Sequence, residues 1–546
     1  MLNLFDFICF LKFNFVLKFF MKISKFHLIC TLIFLSSVIY QMYWLREIEL
    51  GKVPGPVDPF LKTVQGYSLF ESYFKDQGIY YSFLNIDPNY EFCFFQKDIF
   101  TFRLGDKLLG PFPISFTAIV AVLFHFLDFQ SIPYFFVILN LILSILIFLN
   151  VRKSIPIAIL VFFGLPFFIP NSEVSEHSIL ILTQLAGYYF TRVSFFRIRR
   201  REKEISKEIC LAGFFFGIGL FFRHEVLIFG NLLIVTLLGM KLLGKNTIYK
   251  WRDVIAFCLC MYLMFILFFL MNKFMYGSSV GPRLNTNSSG VYSDLFSKLS
   301  YYKVILWRDG SNYGLFGKNL IFVGTFILSA LHFRKMHNLD KLFLFPSIGL
   351  ILAVPILAPN DGGSPWGARY LFLCIYPLVY LTAKYVGKYR RTKSAKLAYL
   401  VNILVILSVA QTMSIEKRGL TSTRLVAKQQ LKYKDETAIL DADLIIFTSE
   451  LVAMQTGFNY INLPVVLLKN EEKLISFQDK FLNKKDRFKK IVLIEPRTEM
   501  INLTKFSASD LEGIQPLRII DRLDSLLTKK DMEIKELTIV HRYENK

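Results

Sequence analysis

A small set of acids and arginines stands apart from the apolar bulk of this chain, and their types suit the transfer of a group off a phosphate. Asp58 lies in Gly55-Pro56-Val57-Asp58-Pro59, where the prolines favour a rigid turn. A carboxylate held there takes a proton from a hydroxyl or binds a divalent cation; the plain alternative is a solvated turn residue. Glu173 and Glu176 lie in Asn171-Ser172-Glu173-Val174-Ser175-Glu176-His177 and share one face if that turn is helical. They would bind a cation or sugar hydroxyls, or else complement the dipole of a helix capped by Ser172 or Ser175. Arg223-His224-Glu225 interrupts an apolar stretch. Ionisable groups at membrane depth cost about 2.5–3.5 kcal/mol each, so Arg223 and Glu225 should line a cavity or pair together. Arg283 (Val280-Gly281-Pro282-Arg283-Leu284) and Arg369 (Trp366-Gly367-Ala368-Arg369-Tyr370) sit in glycine-containing turns. A guanidinium donates in a planar fork that fits phosphate, although an interfacial arginine also reaches toward lipid headgroups. The histidines are scattered without paired ligand spacing, so a histidine metal site is not expected; Mg2+ or Mn2+ on the acids stays open.

These residues must be positioned by a chain that is mostly apolar. It has 546 residues, 54% hydrophobic and 16% aromatic, with 58 Phe. Its mean hydropathy is +0.44, and a soluble chain of this length is rarely so apolar. The formal charge of +22 is not one patch. It is spread over Arg197–Lys203, Lys245–Arg252, His332–Lys335 and Lys384–Lys396, between apolar segments, which is the positive-inside pattern and not a nucleic-acid footprint. The seven cysteines form neither a CxxC pair nor a disulfide framework.

Apolar segments fall near 26–45, 111–128, 132–151, 155–170, 178–195, 209–223, 225–244, 253–276, 319–333, 342–358, 370–386 and 397–413. If all of them cross, the basic stretch Arg192–Lys207 faces outward. Reading 111–128 as a helix lying in or dipping into the outer interface repairs every later loop, and leaves about 11 transmembrane helices. The first segment follows a basic start and lacks a small-residue cleavage site, so it reads as an uncleaved anchor. Residues 1–25 are then cytoplasmic, 26–413 form the multi-pass transmembrane domain, and the long first loop, 46–131, lies outside. From 414 to 546 the apolar runs shrink to strand length, at Ala438–Phe447, Pro464–Leu468, Lys490–Ile494 and Leu537–Val540. Helix-like stretches alternate with them, predicting a small extracytoplasmic α/β domain with a mainly parallel sheet. Neither GxGxxG nor a phosphate loop occurs.

Taken together, these residues resemble the GT-C clan of integral-membrane glycosyltransferases, which includes protein O-mannosyltransferases and aminoarabinose transferases. The resemblance rests on Asp58 in the first outer loop, Gly110-Pro111-Phe112-Pro113 later in that loop, and Ser175-Glu176-His177 before a Leu-rich span. It rests also on Gly363-Ser364-Pro365-Trp366-Gly367-Ala368-Arg369-Tyr370-Leu371, similar to the WGPRYL turn of bacterial members. In the tail, Phe447-Thr448-Ser449 and Gln455-Thr456-Gly457 are similar to the domain that ends many of them. One departure is that Asp58 stands alone where many relatives carry two acids.

The resemblance implies a polyprenyl-phosphate sugar donor and a glycan, glycolipid or protein acceptor, met at the outer face of a bacterial inner membrane. It makes Asp58 the base, with Glu173 and Glu176 placing sugar hydroxyls or a divalent ion. Arg223, Glu225, Arg283, Trp366, Arg369 and Tyr370 would bind substrate. An oligosaccharyl transferase of the same clan, or a lipid or solute transporter, is the alternative.

Overall fold

The computed structural model describes residues 25–52, 57–95, 101–151, 153–165, 174–199, 207–243, 249–282, 295–309, 312–358, 367–389, 395–438, 441–449, 452–453, 464–482, 488–496, 520, 523–524, 527–535 and 538–544. Long apolar helices dominate: α1 (Lys25–Glu47), α4 (Ile132–Asn150), α6 (His177–Arg199), α8 (Glu225–Leu242), α9 (Trp251–Tyr276), α13 (Asn338–Leu357), α14 (Ile375–Tyr389, continuing a 3-10 turn over Gly367–Cys374) and α15 (Ala395–Ala438). Among the described residues these supply 8 helices long and apolar enough to cross a membrane. Shorter helices lie between them: α2 (Val57–Glu71), α3 (Ile114–Leu123), α5 (Ile155–Phe163), α7 (Lys207–Ile218), α10 (Leu295–Tyr302), α11 (Leu315–Lys318) and α12 (Leu320–Leu331). The expected spans at 155–170, 209–223 and 319–333 therefore appear as the shorter α5, α7 and α12. The segment at 111–128 holds only the ten-residue α3, too short to cross a bilayer core of about 30 Å.

The bundle is apolar on both its inner and outer surfaces. On α9, Phe257, Met261 and Phe265 are buried while Ile255, Leu259, Leu263 and Leu270 are exposed, a distribution that hydrocarbon solvates and water does not. Close helix approach is written as glycine. A Cβ on Gly213 of α7 would sit 2.4 Å from the Phe257 carbonyl, and one on Gly217 would sit 2.8 Å from the Met261 carbonyl. This small-xxx-small spacing lets α7 lie against α9 backbone to backbone.

α15 has 44 residues and runs without a break through position 413, where the composition changes, so the sheet that follows starts only at Leu444. Two short antiparallel pairs, β1 (Phe102–Leu104) with β2 (Lys107–Leu109) and β3 (Arg308–Asp309) with β4 (Asn312–Tyr313), precede it; its own strands are β5 (Leu444–Phe447), β6 (Val465–Leu467), β7 (Lys490–Pro496), β8 (Thr528–Ile534) and β9 (Thr538–Glu544), in the order β6-β5-β7-β9-β8. β5 pairs in parallel with β6 and β7, but β9 pairs antiparallel with both β7 and β8. The expectation of a mainly parallel sheet is thus corrected: it is mixed. β8 escaped notice because Thr-Lys-Lys-Asp-Met-Glu-Ile is an exposed edge strand without apolar alternation.

The sheet does not hang free. Phe60, Leu61, Val64, Phe83 and Phe92 of the first loop share one buried core with Ile445, Val466 and Leu493 of the strands. The Leu467 amide donates to the Phe92 carbonyl at 2.8 Å, which adds first-loop backbone to the sheet's edge strand. Glu91 accepts from Ser476 Oγ at 2.6 Å and pairs with Lys480. Buried Asp87 shapes this loop by accepting from the amides of Glu91 and Phe92 and from the Tyr81 hydroxyl. The first loop and the C-terminal sheet therefore lie on the same side of the bundle.

Candidate active site

α2 starts at the proline turn itself. Asp58 occupies its first turn, followed by Pro59 where a missing amide proton costs nothing. The expected rigid turn is in fact a helix start. That helix has two working faces. Phe60, Leu61 and Val64 point into the core shared with the sheet. Asp58 and Lys62, one turn apart, share another face, and Lys62 is 5% exposed.

Lys62 Nζ donates to Glu176 Oε2 at 2.7 Å. It also lies over the rings of Phe112 and Phe116, at 5.0 and 5.8 Å, which exclude water from the pair. Glu176 sits just before α6, where its carbonyl accepts the first helical amide, from Leu180. Ser175 Oγ contacts His177 Nδ1 and takes the His177 amide, so a serine does cap this turn. The Glu176 side chain does more than complement a dipole. Its second oxygen accepts from Arg223 at 3.0 Å, and the residue is fully buried.

Arg223 reaches on to Glu225, donating to its two oxygens at 3.1 and 2.5 Å. The simple turn pair suggested by Arg223-His224-Glu225 exists, but it is part of a larger network. Lys62, Glu176, Arg223 and Glu225 alternate in sign, which is how ionised groups stay charged away from water. The four come from three helix starts: Lys62 from α2, Glu176 from α6, and Arg223 with Glu225 from α8. The Tyr370 ring closes the network, with the Arg223 guanidinium 5.6 Å and the Arg369 guanidinium 5.3 Å from its centroid.

Two groups beside this balanced network are uncommitted. Arg369 Nε is buried and has no hydrogen-bond partner among the described residues. Asp58 is half-buried, and its carboxylate makes no hydrogen bond among the described residues. A guanidinium N–H of this kind can meet an anion, and a carboxylate of this kind can take a proton.

Of the residues expected from sequence, Glu176, Arg223, Glu225, Arg369 and Tyr370 fall in one cluster, and Asp58 lies one helical turn from its Lys62. Glu173, Arg283 and Trp366 lie outside the described residues. Lys62 was missed. The available signal was a lysine within Asp58-Pro-Phe-Leu-Lys62, one turn from the proposed base and among apolar neighbours.

Among the described residues no three His, Cys, Asp or Glu side chains stand close enough to hold a metal. Glu176 in particular has both oxygens engaged by cations, so its donor chemistry does not fit Mg2+ or Mn2+.

The fold has solved counterparts. It is similar to the crystal structure of ArnT from Cupriavidus metallidurans bound to undecaprenyl phosphate, with a TM-score of 0.52 and 11% identity over 93% of this chain and 97% of that one. It is similar also to the oligosaccharyltransferase of Archaeoglobus fulgidus in the apo form, with a TM-score of 0.52 and 10% identity over 86% of this chain and 70% of that one. No family model and no curated protein matches the sequence. The chain therefore has the GT-C-like fold, an apolar helical bundle with a small sheet domain near the C-terminus.

Proposed function

We propose that this protein is a membrane glycosyltransferase that moves a sugar from a polyprenyl-phosphate donor to a hydroxyl on a glycan, glycolipid or protein acceptor. The observation that carries the reading is the buried Lys62–Glu176–Arg223–Glu225 network, flanked by a guanidinium and a carboxylate that, among the described residues, leave the Arg369 Nε and the Asp58 oxygens without a hydrogen bond. The similar ArnT structure, bound to undecaprenyl phosphate, supports a polyprenyl-phosphate ligand.

In the reaction, the acceptor oxygen attacks the anomeric carbon as the bond from that carbon to the phosphate oxygen breaks, which inverts the centre. Asp58 takes the acceptor proton. The bond electrons leave with the phosphate, which needs charge stabilisation and no proton; Arg369 supplies it, with Arg283 as a second donor. Arg223 and Lys62 hold Glu176 fixed, and Glu176 in turn holds their charges at the chamber wall. Glu225 orients Arg223. Trp366 and Tyr370 frame the sugar, and Glu173 reaches its hydroxyls. No step runs through a metal.

The basic loops near 197, 250 and 390 support a bacterial inner-membrane position with those loops inside, the first loop outside and the C-terminal sheet outside with it. An oligosaccharyltransferase reading is favoured by the second structural neighbour and would place a diphosphate on the same donors. Purified protein given a labelled polyprenyl-monophosphate sugar tests the proposal. Asp58→Asn should abolish product while leaving membrane insertion unchanged; full activity in that variant rejects the base assignment. Turnover of a diphosphate-linked glycan alone would favour the second reading.

A further inference from the structure

The end of the bundle opposite the charged cluster carries cations that the transfer reaction does not use. α14 and the turn before it run from Tyr370, at the cluster, to Tyr389, roughly the depth of a hydrocarbon core away. Three helix ends meet there. Tyr385 of α14 donates to Ser329 Oγ at 3.1 Å, and the Tyr389 hydroxyl lies 3.4 Å from His332 Nε2, which ties α14 to the end of α12. Lys341 Nζ, in the first turn of α13, lies 5.0 Å from the centroid of the Phe333 ring, in the 3-10 turn Phe333–Lys335 that follows α12. Lys384 of α14 pairs with Asp340 of α13.

That pair leaves the junction with surplus positive charge. Asp340 is the only acid in His332–Lys341 or Lys384–Lys396, and its Oδ2 is engaged by Lys384 and by the His337 amide. Among the described residues, Lys335, Lys341 and Lys388 make no ion pair. Beside these cations the surface is apolar. Ile327 and Leu331, one turn apart on α12, are 56% and 74% exposed, and Phe345 of α13, its ring 5.7 Å from that of Phe333, is 38% exposed.

We propose that this junction binds the headgroup of an anionic phospholipid in the leaflet on its side of the membrane. Ammonium groups without a carboxylate partner donate to phosphodiester oxygens, and lysines at a helix end reach out of hydrocarbon toward the interface. The apolar stripe commits the site to a lipid and not to a soluble phosphate. Acyl chains lie along Ile327, Leu331 and Phe345 while the phosphate meets Lys335, Lys341 and Lys388. The contacts among α12, α13 and α14 set this junction apart from the basic charge of the other loops, because they gather cations from three helices beside one stripe.

The inference is independent of the transfer reaction. Its test is native mass spectrometry of the full-length protein released from nanodiscs of phosphatidylcholine doped with phosphatidylglycerol. The wild type should retain phosphatidylglycerol over phosphatidylcholine, and excess inorganic phosphate should not displace it. Lys335→Gln and Lys388→Gln should each cut retention about fivefold, and together about twenty-five-fold, as expected when each removes one interfacial cation. Lys384 is kept, because its pair with Asp340 holds α13 to α14. Lys241→Gln, which removes a cation from the last turn of α8 at the same end of the bundle, should leave retention unchanged. The proposal is overturned if both lipids are held equally, if inorganic phosphate displaces the lipid, or if the double variant behaves as wild type. It is overturned also if Lys241→Gln costs as much as Lys335→Gln, which would reduce the effect to bulk charge. Retention is read without turnover, so this failure is separate from failure of the transferase reading.

Discussion

Lys62 donates to Glu176 across 2.7 Å, although 114 positions separate them in the chain. This bond joins the start of α2 to the start of α6 and fixes how far the Asp58 turn stands from the arginines. Both side chains are nearly sealed, at 6% and 1% exposure. Removing either leaves a buried charge short of a partner. Lys62→Met should therefore destabilise the protein by about 3–5 kcal/mol, read as a lower unfolding temperature in detergent. Adding Glu176→Gln to it should recover part of that loss. An unchanged unfolding temperature in the single variant would contradict the pairing.

Arg223 bridges two carboxylates with a planar fork, which a lysine ammonium does not reproduce. Arg223→Lys should lose about 1.5–3 kcal/mol of hydrogen bonding to charged groups, or about tenfold to a hundredfold in kcat/KM for sugar transfer. Activity within a factor of about two of wild type would show that charge alone suffices.

Arg369 differs from Arg223 because its Nε has no hydrogen-bond partner among the described residues. If it meets the donor phosphate in the ground state and more strongly as charge builds on the leaving group, Arg369→Ala should both raise KM for donor and lower kcat. A variant with normal KM and normal kcat would remove Arg369 from the site.

The docking of the first loop on the C-terminal sheet should weaken in acid. Burial raises the Glu91 carboxyl, but its bonds to Lys480 and Ser476 outweigh that and hold it below its ordinary 4.5. A carboxyl depressed in the folded state contributes stability above 4.5, and that contribution fades as pH falls through its lower folded value. Protease cleavage between residues 79 and 95 should therefore rise below about pH 4.5, and Glu91→Gln should be cleaved more readily at neutral pH with a flatter pH dependence. Cleavage in the wild type that does not change with pH would contradict this linkage.

Much of this architecture is legible in the sequence because hydrophobic length is a strong signal. The long helices α1, α4, α6, α9 and α13 coincide with the longest apolar runs. Arg223, Glu225 and Glu176 were legible because charge in an apolar context is costly and must be answered. What answers it was not legible. Lys62 is a single lysine whose partner depends on a fold-wide contact, and the same holds for Phe83 and Phe92 packing on strands nearly 400 positions away. β8 stayed hidden because an edge strand wet on all sides has no period-2 pattern. α15 was split in two by a polarity change that does not interrupt its helix.

Sugar transfer by this route requires Asp58 and Arg369 to open into one chamber on one side of the bilayer. In a cysteine-free background, single cysteines at positions 58 and 369 should both react with a membrane-impermeant maleimide added from outside intact cells, and a polyprenyl-phosphate sugar should protect both. Labelling of the two positions from opposite faces of the membrane would contradict a shared reaction chamber.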